Sequence, residues 1–312
     1  MDARMGWLCR QAILVMAKSK RIFHCVNMTQ CRYFPRFAKK KLNIEAVINF
    51  VRKPGMNKNE SISGLLSAGE HNLLHSLSVD CVIFGFHDGQ LKVLLLKHRH
   101  RDLWALPGGF IGREEETDAA AYRVLKERTG LDEVFLQQFH VFGDPGRSNK
   151  EFHLQDLRKD GIDVDEDHWL LQRFVTIGYY ALVEFSKVTL APDNISEKCV
   201  WWDIHQVPEL ILDHRTILDR ALATLRMQLN YQPIGYNLLP KQFTMPDLQK
   251  LYETILDKKL DRRNFQRKML GFRILLRSNE TKKGVAHKAP YLYSFDLKRY
   301  NEALNEGLNF GW

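Results

Sequence analysis

The stretch Gly109–Leu131, GFIGREEETDAAAYRVLKERTGL, constrains this chain more than any other. Gly109 is followed after five residues by Glu115, after seven more by Arg123, and then by Glu127, Gly130 and Leu131. From Thr117 to Arg128 the chain lacks glycine and proline and is rich in Ala, Leu, Glu, Lys and Arg. A helix is expected there, capped by Thr117 or Asp118 and ended by Gly130. Positions 124, 127 and 128 are three and four apart and share one face of that helix. The face offers Glu127 as a carboxylate, beside Val124, which binds nothing, and Arg128, which repels cations.

This spacing resembles the Nudix box, G-x5-E-x7-R-E-U-x-E-E-x-G-U, where U is aliphatic. The second half reads Arg123-Val124-Leu125-Lys126-Glu127-Arg128-Thr129-Gly130-Leu131. In that family the helix face carries carboxylates that bind a divalent metal on a nucleoside-diphosphate substrate. Here Val124 and Arg128 stand where two of the three box glutamates belong. Magnesium takes hard oxygen ligands, normally one or two carboxylates beside the phosphates. Two unit charges ~4 Å apart at an effective dielectric of ~20 interact by roughly 4 kcal/mol, and a divalent ion doubles this, so Arg128 opposes a metal. The resemblance implies a fold that keeps its pocket and has lost its metal. A working hydrolase would rest on Glu115, Arg123 and Glu127 with Mg2+; with the degraded set no catalysis, metal or cofactor is expected.

Upstream, Val79–Phe86 and Leu91–Leu96 are apolar runs split by His87-Asp88-Gly89-Gln90, a hairpin turn signal. Trp104-Ala105-Leu106-Pro107-Gly108-Gly109-Phe110 matches the tract that enters the Nudix box. Trp104 and Phe110 either line a ligand cleft or belong to the core. The basic run Lys97–Arg101, with Arg99 at its centre, is either a phosphate or sugar contact or a solvated loop. With Glu127 and Arg128, these residues form the candidate ligand set. Further strands are expected over Val134–Phe142, Phe174–Val183 and Lys198–Ile204. Between the first two lies an insertion, 144–173, with eight acidic residues and no clear strand. Such a segment is either a lid or disorder. A helix from about Thr216 to Leu229 follows, with Ile217, Leu218, Ala221, Leu222, Leu225 and Leu229 on one face. His214 just before it reads as a structural residue.

Residues 245–256 form another helix, carrying Leu248, Leu251, Tyr252 and Ile255 on one side. After a short turn, Asp261 fits the N-cap of a helix to about Leu270, with Leu260 and Phe265 as a hydrophobic staple. Phe265, Met269 and Phe272 would pack inward; Arg262, Arg263, Gln266 and Arg267 would face outward. Ile274–Leu276 and Tyr291–Phe295 read as two strands around a basic, glycine-containing loop. Helix, turn, basic helix and basic hairpin make a winged helix-turn-helix whose second helix enters the major groove. The candidate DNA contacts are Lys241, Arg262, Arg263, Gln266, Arg267 and Lys268, with Lys282, Lys283 and Lys288 on the wing.

Charge follows the same division. Residues 1–55 carry a net +10, residues 56–239 a net −8 and residues 240–312 a net +7. An acidic middle joined to a basic C-terminal module suits a ligand sensor joined to a nucleic-acid reader. Residues 1–55 show no sustained apolar period, and are read as a basic arm touching nucleic acid, an unfolded leader, or a stretch preceding a true start at Met56. The five cysteines show neither metal spacing nor an even framework, so a reducing cytoplasm is expected. No apolar run approaches the ~20 residues that span a bilayer, so no membrane partner is expected.

The resemblance now covers about residues 76–300. The chain is similar to the Nudix-related transcriptional regulators, which join a Nudix-like effector domain to a C-terminal winged helix. The tracts that carry it are the box, Leu238–Thr244, Leu248–Glu253 and Leu260–Lys268. The expected fold is α/β: a Nudix-type α/β/α sandwich with a mixed sheet, then a winged helix-turn-helix. The expected domains are a basic leader at 1–75, an effector-sensing domain at 76–235 and a DNA-binding domain at 236–312. The resemblance implies a transcriptional regulator that binds a double-stranded operator as a homodimer, with a sugar or ADP-ribose as small-molecule effector. The alternative is a Nudix hydrolase of nucleoside-diphosphate derivatives with an appended winged helix.

Overall fold

A computed structural model describes residues 64–306, apart from positions 65, 68, 133, 194, 230, 231, 233 and 283–288. The readings of residues 1–55 and of Lys283 and Lys288 lie outside the described residues.

The apolar runs become strands of one large sheet. They are β1 (Leu73–His87), β2 (Gln90–His98), β3 (Trp104–Ala105), β4 (Gly108–Gly112), β5 (Phe135–Phe142), β6 (Val175–Val183) and β7 (Ser196–Asp203). Their order is β3-β2-β1-β6-β5, with β4 also on β1 and β7 on β2. β1 and β6 run parallel and the other pairs antiparallel, which makes the expected mixed sheet. Asp88 and Gly89 sit at φ 49° and 72° in the β1–β2 turn. A two-residue hairpin needs both residues left-handed, and Asp-Gly tolerates that.

Alternation along the strands sorts residues between two layers. Val79, Cys81, Ile83, Leu94, Leu96, Tyr179 and Ala181 face one core, closed by α1 (Thr117–Thr129) through Ala120, Ala121, Val124 and Leu125. Val82, Phe84, Leu91, Val93, Leu95, Tyr180 and Leu182 face the other, closed by α3 (His214–Gln228). The result is the α/β/α sandwich. Gly130 ends α1 in the left-handed region, as expected, but the N-cap is Glu116 without a side-chain bond, not Thr117 or Asp118. The Tyr179 hydroxyl donates to Asp118 at 2.6 Å and accepts from the Thr117 hydroxyl at 3.2 Å, so both candidate caps serve the sheet instead.

The 144–173 insertion is ordered. It carries α2 (Lys150–Lys159), capped by Asn149, whose side chain accepts from the Phe152 N–H at 3.0 Å. It builds a third small core from Leu66, Leu157, Trp169, Leu171 and Phe174. The Trp169 indole donates to the Leu66 carbonyl at 3.3 Å. The folded region therefore begins before residue 75, since Leu66 is buried and β1 opens at Leu73.

Beyond α3 come β8 (Phe243–Thr244), α4 (Met245–Leu256), α5 (Arg262–Gly271), β9 (Leu275–Thr281), β10 (Tyr291–Phe295) and α6 (Leu297–Glu306). The small sheet runs β8-β10-β9. Thr244 and Asp247 form a capping box on α4, and Asp261 caps α5 through the Asn264 N–H. β9 extends to Thr281, five residues past the expected Leu276, because its ladder with β10 reaches Tyr291 opposite Thr281. Leu248, Leu251, Ile255, Phe265 and Met269 are buried in the same cluster as the α3 face of the large sheet. Ile217, Leu218, Ala221, Leu225 and Leu229 of the α3 stripe run through it. One core thus serves both domains.

Leu225 is fully buried in this shared stripe. Leu225→Ala is expected to cost about 2–5 kcal/mol. Urea unfolding followed by tryptophan fluorescence and by circular dichroism should show one transition, displaced equally in both signals. Two separated transitions would show that the domains do not share a core.

Candidate functional site

The box helix has been rebuilt around its missing carboxylates. Val124 is 1% exposed and packs into the α1 core. Gly109 makes room for it: a Cβ there would lie 2.7 Å from Val124 Cγ2. Glu115 is clamped. Arg123 donates Nε–H to Glu115 Oε1 at 2.8 Å and Nη2–H to Oε2 at 2.9 Å, and the Gly112 N–H adds a third bond at 3.0 Å. Burial alone would raise the Glu115 carboxyl, but these donors hold it below the usual carboxylate range. Arg123 also reaches within 3.8 Å of Glu127.

Arg128 is buried, 3.6 Å from both Glu127 and Asp193. Its Nε has no hydrogen-bond partner among the described residues. The carbonyls of Arg128 and Thr129 accept from Ala191 and Thr189, which ties the following loop to the helix. Glu115 and Glu127 are thus both engaged by arginines, and a cation occupies the ligand face. Among the described residues no group of three His, Cys, Asp or Glu side chains is placed to hold a metal ion. The residues do not fit the magnesium that the box implies in its family.

A cleft of about 290 Å3 lies between the sheet and the insertion. Phe110, Trp169, Phe174 and Leu157 form its apolar wall, with Phe110 at 5.0 Å from Trp169 and 5.5 Å from Phe174 between ring centroids. Of the candidate ligand residues, Phe110 lines the cleft. Trp104 does not; it packs edge-on against Trp202 at 5.1 Å and joins the shared core. Glu127 and Arg128 also lie outside the lining, although Asp193, the partner of Arg128, is part of it.

Arg99 is a brace rather than a lining residue. It donates to Asp160 of the insertion at 3.3 Å, while His100 contacts the same carboxylate at 2.8 Å. Arg101 and His98 pair with Asp156 at 3.0 and 3.1 Å. The basic run is neither a solvated loop nor an open phosphate site: it latches α2 over the cleft.

The cleft floor holds a buried ionic cluster that no motif announced. Arg147 donates Nε–H to Asp213 Oδ2 at 2.9 Å, Nη2–H to Asp213 Oδ1 at 3.1 Å and Nη1–H to the Phe174 carbonyl at 3.1 Å. Asp80 Oδ2 lies 3.6 Å from the same Nη2. His214 Nδ1 accepts from the Leu106 N–H at 2.9 Å, the structural role expected of it, and its ring lines the cleft. Burial pushes its pKa below the ordinary histidine value, against Asp80 and Asp213. One signal was readable: Asp80 is a charge inside the apolar run Val79–Phe86.

The second candidate surface is α5. Phe265 and Met269 are buried, while Arg262, Arg263 and Arg267 are exposed. Arg267 is steadied by Asn264 at 2.9 Å. Gln266 and Lys268 are half-buried instead of fully outward, and burial with the nearby Lys258 holds the Lys268 ammonium below its usual pKa. Lys241 is exposed before α4. Lys282 on the wing is exposed and sits 3.6 Å from Asp247 of the α4 capping box.

Comparison with known proteins divides the chain at the same place. A NUDIX domain model matches residues 74–224, and a model of the NrtR DNA-binding winged helix domain matches residues 235–295. The ADPR responsive transcriptional repressor NtrR of Acinetobacter baylyi is 32% identical over 233 residues, covering 72% of this chain and 84% of its own. The crystal structure of Shewanella oneidensis NrtR superposes with a TM-score of 0.58 at 25% identity, covering 76% of this chain and all of that one. The same protein solved with a 27mer DNA gives 0.58 at 24% identity, covering 76% and 99%.

Removing Arg147 would leave the Asp80 and Asp213 carboxylates without their shared cation. Arg147→Leu is expected to destabilise the chain by about 3 kcal/mol, the low end for breaking a buried pair. Urea unfolding measures it; a loss under about 1 kcal/mol would show that water already screens the cluster.

Proposed function

Because the chain belongs to the NUDIX-domain regulators that carry an NrtR DNA-binding winged helix, we propose that it is a transcriptional repressor released from its operator by ADP-ribose. The observation that carries the reading is the exposed face of α5, where Arg262, Arg263 and Arg267 stand clear of a core held by Phe265 and Met269. Arginine contacts guanine edges bidentately in the major groove. The A. baylyi relative's name supports ADP-ribose rather than a sugar as effector, so carbohydrate metabolism is no part of the reading. The cleft supports it too: aromatic rings form one wall and a buried arginine the floor, suited to a base and a diphosphate. The chain acts as a homodimer on paired half-sites, in the cytoplasm where its DNA is. No helix among the described residues is long and apolar enough to cross a membrane.

The sensing domain binds its ligand without cleaving it and without a metal or other cofactor. Val124 and Arg128 offer no ligand, and Glu115 and Glu127 are held by arginines. Incubated with Mg2+ or Mn2+, the chain is expected to leave ADP-ribose intact. A turnover near the common ~10 per second, lost in Glu127→Gln, would return the domain to the hydrolases.

A salt titration tests the DNA half, using a duplex selected by this chain from a randomised pool and an unselected duplex. Arg263→Ala or Arg267→Ala should cost about 1–3 kcal/mol on the selected duplex and much less on the unselected one. Lys282→Ala should weaken both alike and lower the log–log salt slope by about one. Helix variants that fold normally and keep full affinity would show that α5 is not the reader.

A further inference from the structure

Helix α3 joins the two candidate sites end to end. Its 15 residues span about 22 Å. At its N-terminus Asp213 holds the N-cap position but makes no side-chain capping bond. Its carboxylate is turned instead to Arg147, which it receives with two hydrogen bonds. Leu212 just before it lies at φ 47°, in the left-handed region that an aliphatic residue rarely adopts. At the other end Arg226 donates to the Ile255 carbonyl at 2.8 Å and lies 3.9 Å from Asp257. Those two residues close α4, and Asp257 is its left-handed C-cap. The α4 residues Glu253 and Gln249 in turn hold Leu260, at the entrance to α5, at 2.9 Å each. Between the ends, Ile217, Leu218, Ala221 and Leu225 are buried, so a shift of one end is not absorbed along the way.

We propose that Asp213 is the switch that couples the cleft to the DNA-reading helix, and that α3 with Arg226 carries the change. This rests on the reading of the cleft as an ADP-ribose site. Among the described lining residues Arg147 is the one Arg or Lys, so a bound diphosphate takes that guanidinium. Asp213 then loses its partner and has a ready alternative: the N–H groups of Arg215 and Thr216 in the first turn of α3, the two that an N-cap side chain accepts from. The carboxylate has two mutually exclusive partners, which makes the helix start a two-state element rather than a passive strut. Capping resets the first turn, relieves the strained Leu212, and moves α3 against α4. Arg226 passes that movement to the end of α4 and so to the setting of α5.

The experiment measures the full-length chain's affinity for the selected duplex with and without saturating ADP-ribose, alongside calorimetric binding of ADP-ribose itself. The wild-type chain should lose tenfold or more in DNA affinity. Asp213→Asn keeps a side chain that caps a helix but cannot hold Arg147 by charge. It should bind ADP-ribose at least as tightly as wild type, with the DNA response reduced below threefold. Arg226→Gln should bind ADP-ribose within twofold of wild type and show the same loss of response. Arg215→Ala, which removes only an exposed pair with Asp219 on the same helix, should respond as wild type does. If the wild-type chain binds DNA but ignores ADP-ribose, the functional reading falls and the relay with it. If the wild type responds and both Asp213→Asn and Arg226→Gln respond equally, the relay alone is overturned.

Discussion

The structure depends on the apolar stripe of α3. Strands of the large sheet offer one row of side chains to α1 and the alternate row to α3, and α3 has more apolar surface than the sheet covers. The remainder is met by Leu248, Leu251 and Ile255 of α4. Burial of this kind is worth about 25 cal/mol per Å2 of apolar surface, and it is shared by two domains that a flexible linker would leave independent. A short hydrogen-bonded seam adds direction: the Thr254 hydroxyl donates to the Gly89 carbonyl at 3.0 Å, at the hairpin turn of the sensing domain. The reader is therefore fastened to the sensor at the turn, along α3 and at the end of α4.

The same economy of charge explains what became of the catalytic box. A hydrolase of this fold needs carboxylates free to meet a metal. Here the cations are supplied by the chain: Arg123 holds Glu115 and approaches Glu127, and Arg128 stands between Glu127 and Asp193. The helix keeps its place, its glycine contact at Gly109 and its left-handed stop at Gly130. What remains is a helix packed into the sheet, with Glu115 and Glu127 both facing arginines.

Local rules made much of this legible. Apolar runs with a two-residue Asp-Gly turn gave β1 and β2, the three-and-four spacing from Ile217 to Leu229 gave α3, and Asp261 with Phe265 gave α5. The degraded metal face was visible in Val124 and Arg128. The misses have one physical origin, since they concern pairs brought together only by the fold. Arg147 and Asp213 are 66 residues apart, and nothing local marks either. Arg99 and Arg101 face Asp160 and Asp156 across 61 and 55 residues, so a basic run that read as a phosphate or sugar contact or a solvated loop, and an insertion that read as a lid or disorder, are two halves of one latch. Trp104 and Phe110, close in sequence, face different sides: one packs on Trp202 in the core and the other forms the cleft wall.

On the proposed reading, this domain uses its ligand as a signal and not as a substrate. The most direct measurement follows DNA occupancy and ADP-ribose integrity in one reaction, with a metal chelator present throughout. Release of the selected duplex on adding ADP-ribose, with the nucleotide recovered whole, is the predicted result. Release that appears only when Mg2+ is restored, accompanied by cleavage of the ADP-ribose, would contradict it.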